Sequence, residues 1–193
     1  MQTIVGIDEA GRGPLAGPVS VACVAIHSDE VFQVFPEVCD SKKLSPKKRE
    51  VWFEEILRLQ KEGALSYASE LVGAGIIDTK GITYAIKQGI VTVLTEVNVP
   101  AYTQILLDGG LKAPREFTNQ KTIIRGDEQE LSIALASIVA KVTRDRYMVK
   151  LAEKYPEYGF EIHKGYGTKK HMELITAHGL SPEHRKTFCR RFL

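Results

Sequence analysis

Cysteine is scarce in this chain of 193 residues: Cys23, Cys39 and Cys189 are the whole supply. An odd number without C-x-x-C spacing encodes neither a disulfide framework nor a zinc site, and it suits a reducing compartment. Long apolar runs are missing as well. The longest, Val19 to Ile26 with Ser20 inside it, is far short of the ~20 residues a membrane helix needs. The opening MQTIVGIDEA breaks at Asp8 with no basic stretch and no cleavage-like site, so a cytoplasmic protein without a secretory signal is expected. Strong charge of one sign is also absent. The formal net charge of +2 and the pI near 8.4 lean basic but do not alone announce a nucleic-acid binder. His27, His163, His171, His178 and His184 make no H-x-x-x-H or H-E-x-x-H pattern, which speaks against zinc. No G-x-S-x-G occurs, and the segment GRGPLAGP lacks the Gly-Lys-Ser/Thr ending of a nucleotide loop.

What is present is ordinary globular composition, 44% hydrophobic and 26% charged, without repeats or low-complexity tracts. Thr3 to Asp8 is a β-branched run that stops at a Gly- and Pro-rich segment, and Val19 to Ile26 is a second strand. Ser45-Pro46 starts a helix, with Ser as N-cap and Pro in the first position, carried by Trp52, Ile56 and Leu59 to Gly63. Leu65 to Val72 is a third strand. Ile82, Ile86, Ile90, Val93 and Val97 mark a second helix that ends before Pro100. Thr103 to Asp108 and Lys121 to Arg125 are further strands, and Leu131 opens a long buried helix. From Pro156 a loop containing HKGYGTKKH leads to short helical pieces that stop at Gly179 and restart at Ser181-Pro182. Strands early, helices later and between them predict an α/β architecture, a mixed sheet with helices packed on it.

Two strand ends present acids: Asp8-Glu9 and Asp108. Phosphodiester hydrolysis by two Mg²⁺ or Mn²⁺ ions ~3.5–4 Å apart asks for converging carboxylates, and Asp8, Glu9, Asp108 and Asp127 are the candidates. Each has a plainer alternative. A strand-end acid is commonly a turn former. Asp127 stands three residues before Glu130 and just before a helix, close to a capping box, so capping alone explains it. Adjacent strand side chains point to opposite faces, so Asp8 and Glu9 serve one site only where the strand ends, which Gly11 and Gly13 make plausible. Arg12, between those glycines, suits a phosphate, or is a solvated turn arginine. Lys42-Lys43 with Lys47-Lys48-Arg49, Lys164 with Lys169-Lys170, and Arg185-Lys186 with Arg190-Arg191 are basic clusters that can track a phosphate backbone or line solvated faces. Tyr166, between glycines in a basic loop, can pack on a sugar or base, or cap the core.

GIDEAGRGPLAGP at 6–18 closely resembles the opening signature of type 2 ribonucleases H, the ribonuclease HII family. DSKKLSPKKRE at 40–50, ILLDGG at 105–110, RGDEQELSIALASIVAKVTRDR at 125–146 and HKGYGTKKH at 163–171 resemble further family blocks in the family's order, across nearly the whole chain. The resemblance implies a ribonuclease H-like fold, a mixed five-stranded central sheet with flanking helices and a small C-terminal helical part. It implies one catalytic domain over 1–193, with residues from about 156 contacting substrate. It implies a monomeric endoribonuclease acting on RNA–DNA hybrids and on ribonucleotide-containing duplex DNA, dependent on Mn²⁺ or Mg²⁺, cutting 5′ of single embedded ribonucleotides to leave 3′-hydroxyl and 5′-phosphate ends. Carried over by motif, Asp8, Glu9, Asp108 and Asp127 are the catalytic metal ligands. Gly11, Arg12 and Gly13 meet the ribonucleotide 2′-hydroxyl and the neighbouring phosphate, Tyr166 packs at the RNA-to-DNA junction, and Lys43 joins the substrate-binding set. ALASI departs from the consecutive small alanines more common in the family. Two alternatives stand: a type 3-like hybrid ribonuclease needing several ribonucleotides, disfavoured by the short form of the chain, and a hybrid-binding module without catalysis.

Overall fold

The computed structural model describes residues 2–35 and 44–192. One sheet holds β1 (Ile4–Ala10), β2 (Val19–Ile26), β3 (Leu65–Val72), β4 (Gln104–Asp108) and β5 (Gln120–Ile123), in the order β3-β2-β1-β4-β5. β1, β2 and β3 pair antiparallel, and β4 and β5 join in parallel on the other side of β1. The helices are α1 (Glu30–Val34), α2 (Pro46–Lys61), α3 (Ala74–Lys80), α4 (Ile82–Val97), α5 (Leu131–Lys154), α6 (Phe160–His163) and α7 (Lys169–His178). Among the described residues no helix is long and apolar enough to cross a membrane.

β2 is buried along its whole length because both of its faces are covered. Val21, Cys23 and Ala25 pack with Ile86, Ile90 and Val93 of α4, whereas Ala22, Val24 and Ile26 pack with Ile56 of α2 and Leu135 of α5. That two-sided burial is why its sequence shows no polar alternation. α2 begins where Ser45 accepts the Lys48 N–H on its hydroxyl at 3.2 Å, a cap worth about 1 kcal/mol.

β1 alternates in the same way, sending Val5 and Ile7 toward α4 and Gly6 and Asp8 toward α5. A Cβ on Gly6 would lie 2.0 Å from the Ser132 carbonyl carbon, so only glycine lets the first turn of α5 sit directly on the strand. That contact fixes the height of α5 above the sheet, and with it the position of the residues one and two turns further on.

Three expectations need correction. β1 does not stop at Asp8 but runs to Ala10, because Asp8, Glu9 and Ala10 stay paired with Ala22, Val21 and Ser20. β5 ends at Ile123, since Arg125 takes a left-handed φ of 54° and turns the chain into a 3-10 turn, Gly126–Glu128. No helix restarts at Ser181-Pro182. There the Ser181 N–H and hydroxyl meet His184 Nδ1 at 2.9 and 2.8 Å, and His184 bridges to Ala16. α1 and α3 are additions that periodicity did not announce, being only 5 and 7 residues long.

Candidate active site

β1 and β4 pair from Ile4 opposite Gln104 to Ile7 opposite Leu107, and the pairing then stops. The next residues on the two strands are Asp8 and Asp108. The strand continues past Asp8, but its β4 neighbour is gone, so the edge beyond Ile7 is open to a cavity. This is how adjacent residues on opposite faces reach one site: Asp8, Glu9 and Asp108 all line a cavity of about 380 Å³, with Gly11, Arg12, Gly13, Arg49, Ser137, Lys141 and Tyr166.

Asp8 is almost fully buried and accepts the Glu9 N–H at 2.7 Å and the Ser137 hydroxyl. Its pKa is raised well above the usual carboxylate range, first by burial, then by the charges of Glu9 and Asp108. Glu9 is raised too, first by burial, against the opposing pull of Arg12. Arg12 Nη1 donates to Glu9 Oε1 at 3.0 Å, while Glu9 Oε2 is buried with no hydrogen-bond partner among the described residues. Asp108 closes β4 and accepts the Gly126 N–H at 2.7 Å, which ties the 3-10 turn to the site.

The capping-box reading of Asp127 does not hold. α5 is capped by Glu130 with no side-chain bond, and the Glu130 N–H is already satisfied by the Gly126 carbonyl at 2.8 Å. Asp127 lies buried in the 3-10 turn beside Gly126 and is not on the cavity lining. Lys43, with Lys42 and Cys39, lies outside the described residues.

Two further loops frame the cavity. Gly11 takes a φ of 90°, and a Cβ there would fall 2.0 Å from Arg144 Nε, so it is glycine on both counts. Gly165 O accepts the Leu15 and Ala16 N–H groups at 2.8 and 3.3 Å, joining the HKGYGT loop to the glycine-rich one. Tyr166 is 42% exposed, with the Arg144 guanidinium 5.6 Å and Lys141 Nζ 5.8 Å from its ring centre. Its carbonyl meets His171 Nδ1 at 2.9 Å, and His171 Nε2 meets His184 Nε2 at 3.1 Å. One neutral tautomer set satisfies all of these: His171 donates to Tyr166, His184 donates to His171, and the Ser181 N–H donates to His184.

Ser137 and Lys141 escaped the reading of the sequence as site residues, and Arg49 entered it only within a basic cluster. Ser137 and Lys141 stand one helical turn apart on α5, on the side set by the Gly6 contact. Ser132 and Ser137 in an otherwise apolar helix start were the available signal, because a buried hydroxyl needs a partner, and Ser137 finds one in Asp8.

Among the described residues no three or more Asp, Glu, His or Cys side chains form a ready ligand set for one metal ion. The donors nevertheless suit a hard cation that keeps its own waters and takes few protein oxygens. They are carboxylates, they repel one another, and Glu9 offers a buried oxygen with no hydrogen-bond partner among the described residues.

The family model for ribonuclease HII matches residues 5–192. The chain belongs to the ribonuclease HII family. Ribonuclease HII of Halalkalibacterium halodurans is 44% identical over 96% of this chain and 66% of its own length, and that of Bacillus cereus is 48% identical over 96% and 68%. The chain thus spans about two thirds of the length of these relatives. The ribonuclease H2 structure from Pyrococcus horikoshii superposes with a TM-score of 0.77 at 26% identity, over 99% of this chain and 97% of that one. A ribonuclease HIII crystallised with Mn²⁺ shares the fold, with a TM-score of 0.69 at 18% identity over 97% of this chain and 64% of that one. The architecture is therefore the ribonuclease H-like fold, and ribonuclease HII is a family of endonucleases, hydrolases acting on RNA in RNA–DNA hybrids.

Proposed function

We propose that this chain hydrolyses the RNA strand of RNA–DNA hybrids and also incises 5′ of a single ribonucleotide embedded in duplex DNA, leaving 3′-hydroxyl and 5′-phosphate ends. The observation that carries the reading is one cavity holding both a crowded acid set, with a buried oxygen that has no partner among the described residues, and a glycine-arginine-glycine loop beside an exposed tyrosine. Family membership supports the reaction class, and the Mn²⁺ complex of the ribonuclease HIII neighbour supports a divalent cation.

Asp8, Glu9 and Asp108 would hold Mn²⁺ or Mg²⁺, with Asp127 as the fourth carboxylate, brought near because Asp108 grips the adjacent Gly126 amide. Two such ions, when bound, supply an activated water and offset the charge that develops on the phosphate. The chain's own groups do the rest. Ser137 holds the Asp8 carboxylate toward the cavity. Arg12, 55% exposed at its side chain, presents a guanidinium to a phosphate oxygen once Glu9 has another cation. Tyr166 offers its face to the sugar or base at the RNA-to-DNA junction, and Lys141 adds positive charge beside it. In this reading a monomer suffices, since every proposed group comes from one chain.

Metal titration of cleavage on a uniform RNA–DNA hybrid and on a duplex with one ribonucleotide tests it. Cleavage of both, rising from zero in chelator, is expected. Cleavage of the hybrid alone would favour the type 3-like alternative, and binding without cleavage a non-catalytic module.

A further inference from the structure

Arg144 and Arg185 are fully buried, and among the described residues neither lies within ion-pair distance of a carboxylate. A buried cation is costly unless its donors are used. Here they are used on backbone. Arg144 donates to the carbonyls of Pro18, Ala16 and Lys164 at 2.9, 3.1 and 3.0 Å. Arg185 donates to the carbonyls of Gly17, Arg12 and Gly11 at 2.9, 2.9 and 2.7 Å. Burial lowers the Arg185 pKa to about 9, which leaves it charged at neutral pH.

The two shortest consequences fall on the glycine-arginine-glycine segment. A trans peptide is planar with its C=O and N–H antiparallel, and no peptide among the described residues is cis. The Gly11 carbonyl is in one plane with the Arg12 N–H, and the Arg12 carbonyl with the Gly13 N–H. With both carbonyls drawn inward onto Arg185, both N–H groups point outward, toward the cavity that Arg12 and Gly13 line. Among the described residues neither N–H has an acceptor. Two successive outward amides over a buried positive charge make an oxygen-binding nest. Gly13 adds an independent sign. Its φ is not left-handed and a Cβ would meet nothing within 4 Å, so neither strain nor close packing demands glycine there, on a residue that lines the cavity.

We infer that Arg185 is a positioning residue for ribonucleotide recognition, aiming the Arg12 and Gly13 amides at an oxygen of the ribonucleotide backbone, either its 2′-oxygen or an adjacent phosphate oxygen. The inference rests on the functional reading above. Arg144, packed under Gly11, ties the Ala16 and Pro18 carbonyls further along the same glycine-rich loop to Lys164 of the tyrosine loop.

The test is single-turnover cleavage of a duplex carrying one ribonucleotide by Arg185→Lys and Arg185→Met, with thermal unfolding of each. A lysine keeps the charge but not the three-way fork. The half-saturating enzyme concentration should rise about tenfold in Arg185→Lys, with the maximal rate changed far less, a split equal to the loss of one good hydrogen-bonded contact. A general loss of structure would lower the maximal rate instead. A folded variant with wild-type half-saturation, or with the defect confined to the maximal rate, overturns the inference. Should both variants fail to fold, the wild type still decides. Its Arg12 and Gly13 amide resonances should move on adding the ribonucleotide duplex in chelator, and fixed resonances while Tyr166 responds would overturn it. An all-DNA duplex of the same sequence separates the two oxygens: it shifts these amides only if they hold phosphate. A wild type that cuts no single-ribonucleotide duplex with any divalent cation sinks the functional reading and this inference with it, whereas an indifferent Arg185→Lys in an active enzyme sinks this inference alone.

Discussion

Arg12 Nη1 sits 3.0 Å from Glu9 Oε1 while the other Glu9 oxygen is buried with no hydrogen-bond partner among the described residues. The arginine therefore offsets only part of the negative charge gathered at the end of the β1–β4 pairing. A divalent cation that binds the folded chain alone stabilises it by mass action, about 2.7 kcal/mol at a hundredfold excess over Kd. Thermal unfolding in Mg²⁺ or Mn²⁺ should thus lie several degrees above that in chelator, and Glu9→Gln should lose most of the increment. An equal increment in the variant would remove Glu9 from the metal set.

Asp8 is a destabilising charge in the metal-free chain. Its folded pKa is raised above the unfolded value, so the fold loses stability as pH rises from the unfolded pKa through the folded one, and regains it as pH falls back through that range. Asp8→Asn should raise the unfolding temperature in chelator by roughly 2–4 °C, the span of about 1 kcal/mol for a chain of this size, and abolish cleavage. A lower unfolding temperature would mean that the Ser137 and Glu9 hydrogen bonds outweigh the repulsion.

Asp108→Asn keeps a side-chain oxygen for the Gly126 amide but loses the charge. Turnover should fall by a factor of about 10³ or more, as expected when a charged group acting on the reaction is lost, with hybrid binding little changed. Single-turnover cleavage within a few-fold of wild type would sink the assignment.

Tyr166→Ala should weaken cleavage of a duplex with one ribonucleotide more than cleavage of a long hybrid, by about tenfold, the order of one stacking contact. Equal losses on both substrates would remove the junction role.

The histidine chain behind Tyr166 sets an acid limit. Burial lowers the pKa values of His171 and His184 from 6.5 to about 4. A depressed histidine binds protons more readily when unfolded, so its contribution is complete above about pH 6.5 and is lost as pH falls toward 4. Protonation would set two N–H groups face to face across the 3.1 Å His171–His184 contact. Unfolding temperature should fall between about pH 6.5 and pH 4 more steeply in wild type than in His184→Asn. Parallel profiles would show the pair to be inert.

The elements that periodicity could see were legible: β2, β3 and α4 begin and end where the alternation and the 3.6 spacing place them, and Ser45-Pro46 starts α2 as its chemistry requires. The convergence of Asp8, Glu9 and Asp108 was legible only in part. Strand-end acids drew attention to residues that share one cavity, yet the physical cause is the end of β1–β4 pairing, a tertiary fact, rather than the end of β1. The capping-box reading of Asp127 failed because a 3-10 turn imitates a helix start in sequence. Ser137, Lys141 and the inward-facing Arg144 and Arg185 are set by what α5 and the C-terminal segment pack against, and Arg185 looks in sequence like one more basic residue in a solvated run.

The most direct measurement is the mapping of cut position and end chemistry on a DNA duplex containing one ribonucleotide, with Mn²⁺, with Mg²⁺ and with chelator. A single metal-dependent cut 5′ of the ribonucleotide, with a 3′-hydroxyl and a 5′-phosphate, is the predicted result. An intact duplex under all three conditions, or a cut that persists in chelator, would contradict the account.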